Sequence, residues 1–522
     1  GEVLFGSIRD DKIEAKGGND VVFGLLGDDK IDAGDGDDRV LAGIGDDTVS
    51  GGNGVDTIFG GLGDDTLVAN KGDDFVFGGG GDDLIVWNNG DGSDLFDGGR
   101  GDDTVQVNFN TDLVNDDLQN KDVAEFSTTN KGVQFARIEV NDQTEVGLFQ
   151  LDIRKTETLE TNFGGGDDEA VIVGDVLHEI KLELDGGEGT DLLDFSLLDE
   201  GVEVNLKEGT AGTAHVENFE NVIGTEFDDK ITGDAKANVI SGLGGVDTIY
   251  GRGGDDTLVG NKGDDFVFGG GGDDLIVWNN GDGSDLFNGG RGDDTVQVNF
   301  NTDLVNDDLQ NKDVAEFSTT NKGVQFARIE VNDQTEVGLF QLDIRKTETL
   351  ETNFGGGDDE AVIVGDVLDE IALNLDGGAG IDTLDFSQAE PGIVVDLDSG
   401  IADSAVVTNF ENVIGTDGTD FIRGTDGDNV IRGGAGNDIM TGGAGADVFI
   451  FAEGDTGDKI VTDFEVGVDT VELQLGDELD FADLADQLVQ DGDDVRLDLG
   501  ETSITFENTQ VADFSAEDFL IA

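Results

Sequence analysis

Residues 42–86 read AGIGDDTVS, GGNGVDTIF, GGLGDDTLV, ANKGDDFVF and GGGGDDLIV, five nonads in direct succession. In each, the fourth residue is Gly, the sixth is Asp and the eighth is Val, Ile or Leu. Gly, Asn and Asp tolerate positive φ and suit a tight turn over positions 1–6. Positions 7–9 alternate around one apolar residue, as in Thr57-Ile58-Phe59, which suits a very short strand with the eighth side chain inward. One such strand cannot bury its apolar face alone, whereas a stack of copies can.

Working outward, the pattern reaches back to residue 6 and on to residue 106, with Trp87-Asn88 inserted. Its sixth positions are Asp11, Asp20, Asp29, Asp38, Asp47, Asp56, Asp65, Asp74, Asp83, Asp94 and Asp103. A second array from 224 supplies Asp229, Asp247, Asp256, Asp265, Asp274, Asp285 and Asp294, with Asn238 in one sixth position and Trp278-Asn279 inserted. A third, from 415, supplies Asp420, Asn429, Asp438 and Asp447. Nonad-like pieces between the arrays add Asp168 and Asp191, and again Asp359 and Asp382. A shift of 191 residues superposes 33–223 on 224–414, and from Thr66 to Leu177 only Ala69/Gly260 and Asp97/Asn288 differ. The organisation expected is therefore 1–106 first array, 107–223 intervening β-rich segment, 224–297 second array, 298–414 duplicate segment, 415–451 third array and 452–522 a distinct tail.

Composition sets the chemistry. The 522 residues carry 28 Lys plus Arg against 119 Asp plus Glu, a net charge of −91. Such a chain repels phosphates, which excludes nucleic-acid binding through a basic face. There is no Cys, which excludes disulfides, thiolate metal sites and cysteine nucleophiles. Two His, His178 and His215, leave little for imidazole chemistry, and His178 is Asp369 in the sister segment. No stretch approaches the roughly 18 apolar residues of a membrane span. The first residue is Gly1 and no basic-then-apolar leader follows, so the chain reads as a processed product or fragment.

Hydrophobic residues make up 36 % and there are 32 Phe, enough for a core, yet self-repulsion opposes collapse. Stacked turns set one Asp over the next at roughly 4.8 Å. A hard cation resolves that conflict: Ca²⁺ takes 6–8 oxygens from carboxylates and backbone carbonyls, and glycine turns leave carbonyls free. An acidic solvated surface would scatter its Asp instead of fixing one in every nine with an aliphatic two places later. The adjacent Asp28, Asp64 and Asp82 read as supplements to local charge.

GGNGVDTIF, GGLGDDTLV, GGGGDDLIV and GGAGNDIMT resemble the RTX, or haemolysin-type, calcium-binding nonapeptide. The resemblance implies an all-β chain: right-handed parallel β-roll or β-solenoid arrays, two nonads per coil, calcium in rows between turns. Irregular β-rich segments would lie between arrays and a β cap would end the chain. The sixth-position Asp residues named above become the metal ligands, for on the order of 20 ions. Residues 442–473 and the ending SAEDFLIA (515–522) resemble the cap and uncleaved secretion region of type I secreted RTX proteins, and NFENVIGT (218–225, 409–416) resembles a lead-in to a roll. Degenerate turns such as GSIRDD, AKGGND and GDAKAN depart from the pattern.

The remaining features read as structural. Trp87 and Trp278 fit a patch over a core break better than a sugar-stacking platform. Arg137, Arg154 and Lys155, repeated as Arg328, Arg345 and Lys346, read as strand charge, the sharper alternative being contact with an acidic face of another copy. GxSxG, HExxH, SxxK, P-loop and Rossmann fingerprints are missing, so no enzyme activity is expected. The expectation is a bacterial extracellular protein, exported by type I secretion machinery, that folds on calcium and acts as a structural or adhesive surface, S-layer, matrix or fibre component, with possible self-association. The alternative is the C-terminal calcium module of a larger secreted enzyme or toxin.

Overall fold

The computed structural model describes residues 1–109, 121–141, 144–300, 312–332, 335–475 and 481–521. It divides into two compact units, Gly1–Lys262 and Gly263–Ala522, and the division falls within 224–297. Each is built from two sheets that are parallel for most of their length, the chain passing from one sheet to the other and back in every coil.

In the first unit the coil is 18 residues, two nonads. Val22, Val40, Ile58 and Val76 align in one sheet and Ile13, Ile31, Val49, Leu67 and Ile85 in the other. From Val22 and Ile31 onward these eighth-position residues are buried and form the core between the sheets. Fully burying each aliphatic side chain contributes about 1.5–3 kcal/mol.

The strands are longer than the sequence suggests. Thr57–Leu62 runs six residues, through Gly60 and Gly61, so the turn shrinks to Gly63-Asp64-Asp65. The second nonad position takes positive φ there: Gly43, Gly61 and Gly79 pair in parallel register in that conformation, which costs glycine little, and Leu25 and Asn70 adopt it as well. In the second array Thr248–Tyr250 and Phe266–Phe268 keep three residues.

Between arrays the strands stay in the same two sheets of their unit. Lys121–Thr129, Gly132–Asn141 and Thr144–Arg154 form an antiparallel meander. Its outer strands rejoin the parallel ladder, Thr144–Arg154 on Leu95–Asp97 and Lys121–Thr129 on Glu169–Val173. A smaller meander, Glu203–Asn205, Thr210–Ala211 and Ala214–Glu217, does the same in the other sheet. The second unit repeats both. Of the segments 107–223 and 298–414, residues 110–120, 142–143, 301–311 and 333–334 lie outside the described residues, as do the side chains of Arg137 and Arg328. Arg154 pairs with Asp152, Arg345 with Asp343, and Lys155 holds Asp97 at 2.8 Å, so these cations are engaged within their own unit.

The tail closes both sheets. Thr502–Phe506 pairs with Gly457–Val461 and continues into an antiparallel meander with Asp494–Asp498 and Leu488–Asp491. Phe519–Ile521 covers Thr470–Gln474. Phe464, Phe506, Phe514 and Phe519 fill the end, with ring centroids 5.0 Å apart for Phe464–Phe506 and 5.9 Å for Phe514–Phe519. This replaces open strand edges with a β cap.

Trp87 is fully buried. Its Nε1–H donates to the Gly92 carbonyl at 2.9 Å, and its ring meets Phe149 and Phe109 edge-on. Trp278 repeats this on Gly283, so neither ring offers a stacking face to a ligand. Trp87→Ala should cost about 3–5 kcal/mol, read by denaturant unfolding of the calcium-loaded chain. An unchanged midpoint would mean that the ring fills no core.

Candidate metal centres

The parallel register lifts each sixth-position Asp directly over its counterpart one coil away. The backbone N–H of one donates to Oδ1 of the next: Asp38 to Asp56 at 2.8 Å, Asp56 to Asp74 at 2.7 Å, and on the other edge Asp47 to Asp65 and Asp65 to Asp83 at 2.8 and 2.9 Å. One oxygen of each carboxylate is thereby satisfied. The second is not. Oδ2 of Asp20, Asp29, Asp38, Asp47, Asp56, Asp65, Asp74, Asp83, Asp94, Asp103, Asp191, Asp294 and Asp382 is buried without a hydrogen-bond donor. Buried acceptors are normally paired, and leaving a carboxylate oxygen bare is costly.

Glycine makes the cradle. A Cβ at Gly51 would lie 2.6 Å from Asp56 Oδ2 and 2.5 Å from the Ala69 carbonyl oxygen, so glycine makes room for the carboxylate there, while Ala33, Ala42 and Ala69 show that a methyl is accommodated at the same position elsewhere. Among the described residues no group of three or more carboxylate or imidazole side chains converges by itself. Calcium held here would draw its remaining oxygens from the carbonyls of the turns, a donor set of hard oxygens that fits this ion.

Burial pushes these acids up. It raises Asp47, Asp56 and Asp83 to about 6, Asp65, Asp94, Asp191 and Asp382 to about 7, and Asp74 and Asp285 to about 8. The backbone N–H bonds oppose that rise and the stacked carboxylates add to it.

The other expected ligands sort by surroundings. Asp168, Asp247, Asp256, Asp265, Asp274 and Asp359 are buried in the ladders, as are Asp285 and Asp447. Asp11 is only half-buried, and its Oδ2 accepts from the Ser7 N–H at 2.5 Å. Asp229 and Asp420 are satisfied internally, their Oδ2 atoms by the backbone N–H of Thr225 and Thr416 and their Oδ1 atoms by the same residues' hydroxyls. Asp438 carries a lysine on its Oδ2, Lys459 Nζ at 2.7 Å. Asn238 and Asn429 keep the ladder's backbone bond and turn their Nδ2 donors to the carbonyls of Glu220 and Glu411, both at 2.8 Å. The fifth-position Asp28, Asp46 and Asp64 stack as well, but in the open.

Sequence reasoning missed several rungs. Asp103 donates to Glu157 and Asp191 to Glu220, Asp294 to Glu348, Asp382 to Glu411, and Asp447 to Asp469. Asp122 and Asp313 also enter, on Asp168 and Asp359. A signal existed: Glu157-Thr158-Leu159, Glu220-Asn221-Val222 and Asp469-Thr470-Val471 each place an aliphatic two residues after the acid. Both His are exposed and take no part.

Comparison with known proteins agrees with this geometry. Residues 5–85, 89–114, 223–277, 279–306 and 414–449 match the family described as RTX calcium-binding nonapeptide repeat (4 copies). No curated protein matches the chain. Among solved structures, the extracellular lipase LipA from Serratia marcescens aligns at 16 % identity over 64 % of this chain, with a TM-score of 0.17. The chain covers 45 % of that lipase, and at this TM-score the likeness carries no argument.

The raised acids make the metal-free roll pH-dependent. An Asp ordinarily titrates near 3.8. A carboxyl raised by folding keeps its proton after the unfolded chain has lost its own. Its contribution is therefore full below about pH 4 and is lost as pH rises through the folded values. In calcium-stripped buffer the far-UV β signal should be retained near pH 4–5 and lost by about pH 8, and the calcium midpoint should be higher at pH 6 than at pH 8. A metal-free β signal that is flat across this range would contradict the burial of these acids.

Proposed function

The chain carries RTX calcium-binding nonapeptide repeats in all three arrays, and we propose that it is an extracellular bacterial structural or adhesive protein whose rolls close only where calcium is abundant. The observation that carries this reading is the run of buried Oδ2 atoms without donors, repeated coil after coil. Two unit charges about 5 Å apart repel by ~3 kcal/mol at an effective dielectric of 20. That matches or exceeds the gain from burying one aliphatic side chain per half-coil, about 1.5–3 kcal/mol. Metal-free coils are therefore near balance, and the carboxylates tip it either way.

In the cell, where free calcium is far below the millimolar affinity of extracellular sites, the carboxylates hold the chain open. That state suits passage through a type I channel. Outside, the sixth-position carboxylates and the turn carbonyls would hold on the order of 20 ions, and the eighth-position aliphatics could stack. Folding should be steep, because each coil supports its neighbour. Residues 66–177 recur almost unchanged at 257–368, which suits lattice or matrix assembly.

The test is a calcium titration of stripped protein at physiological salt, with magnesium as control, following circular dichroism and light scattering on one sample. A sharp coil-to-β transition with particle growth is expected. A transition in particles that stay monomeric would remove the structural role and leave a calcium module. No transition at millimolar calcium would refute the reading entirely.

A further inference from the structure

The lysine on Asp438 stands where the ladder should continue. Asp420 donates its backbone N–H to Asp438 Oδ1 at 3.1 Å, as Asp38 does to Asp56. One coil further on, Ile460 pairs with Ile439 and Val461 with Met440. The same register sets Lys459 over Asp438, in the place where a further sixth-position carboxylate would stand. The sequence puts a cation there.

Its side chain is not a surface partner. Lys459 is 1 % exposed. Its ammonium donates to the carbonyl of Gly434 at 2.6 Å, the carbonyl of Gly436 at 2.8 Å and Asp438 Oδ2 at 2.7 Å, with the Thr456 carbonyl at 3.2 Å. In the nonad GGAGNDIMT (433–441) the acceptors around the ammonium are the carbonyls of positions 2 and 4 and the carboxylate of position 6. The same three positions in GGLGDDTLV (60–68) are Gly61, Gly63 and Asp65, and there the Asp65 Oδ2 is buried and bare. A buried ammonium is tolerated only when paired and fully hydrogen-bonded, and here its three protons have three close oxygen acceptors. The charge also closes: one carboxylate against one ammonium, where an ordinary rung sets carboxylate over carboxylate.

We propose that Lys459 is a tethered cation that occupies one cation site of the third array, so that the coil 433–441 closes without calcium. This rests on the calcium reading above and refines it. The rest of the third array points the same way. Asp420 is satisfied by Thr416, and Asn429 is neutral and donates to the Glu411 carbonyl. The remaining sixth position, Asp447, accepts the Asn429 N–H on its Oδ1 as in an ordinary rung.

Native mass spectrometry of the full chain at saturating calcium counts the ions directly. Lys459→Met should add one ion, because the emptied cradle keeps Asp438 and the carbonyls. Asp438→Asn should keep the wild-type count, while Asp65→Asn should lose at least one. Hydrogen exchange over 433–462 shows whether each variant keeps this coil folded. If Lys459→Met leaves it open, the Asp438→Asn count decides. Loss of an ion in Asp438→Asn, or no gain in a folded Lys459→Met, would overturn the proposal. A wild-type chain that binds no calcium would instead overturn the calcium reading and this proposal with it, a distinct result.

Discussion

Parallel strand register forces like onto like, and in this chain it forces carboxylate onto carboxylate. Sheets stack strands about 4.8 Å apart, and a period of nine fixes the sixth residue of every second nonad on the same edge. The backbone N–H of one Asp satisfies one oxygen of the next, as between Asp56 and Asp74, and geometry allows it no more. The remaining oxygen is buried with like charge close by. Every other feature of the roll either tolerates that arrangement or relieves it.

Glycine tolerates it. The leading Gly of the nonad leaves room for the carboxylate, and the second lets strands such as Thr57–Leu62 pair through to the turn at positive φ. The aliphatic at position 8 supplies what opposes the charge. That term is modest per coil and adds up only along a stack, so the roll has no small folded fragment to fall back on. Where the stack must end, the tail substitutes phenylalanine packing and antiparallel pairing for the next coil.

Nine-residue spacing alone made the inward eighth residue and the Asp edge legible, while the two-nonad coil and the capped end followed from the resemblance to the RTX nonapeptide. The six-residue strands were legible in neither. Gly-Gly reads as turn in any local propensity, and here the pairing of Gly43, Gly61 and Gly79 across successive coils holds it extended. The glutamates at 157 and 220 were hidden because their nonads lack the glycine signature, although the aliphatic two residues later was there to see. The meanders at 121–154 and 203–217 escaped because antiparallel excursions that rejoin the same ladder leave no mark on the period. Thr225 and Thr416 stand at second nonad positions and carry the donors that satisfy Asp229 and Asp420.

Some departures from the repeat share a physical meaning. Thr225 supplies, from the chain itself, a backbone N–H and a hydroxyl to Asp229, and Lys459 supplies an ammonium to Asp438, while Asn238 removes the charge instead. On the reading proposed above, a consensus nonad leaves the positive charge to calcium, whereas the coil 433–441 carries its own cation. Which coils wait for calcium then depends on the sixth position and on whatever donor faces it.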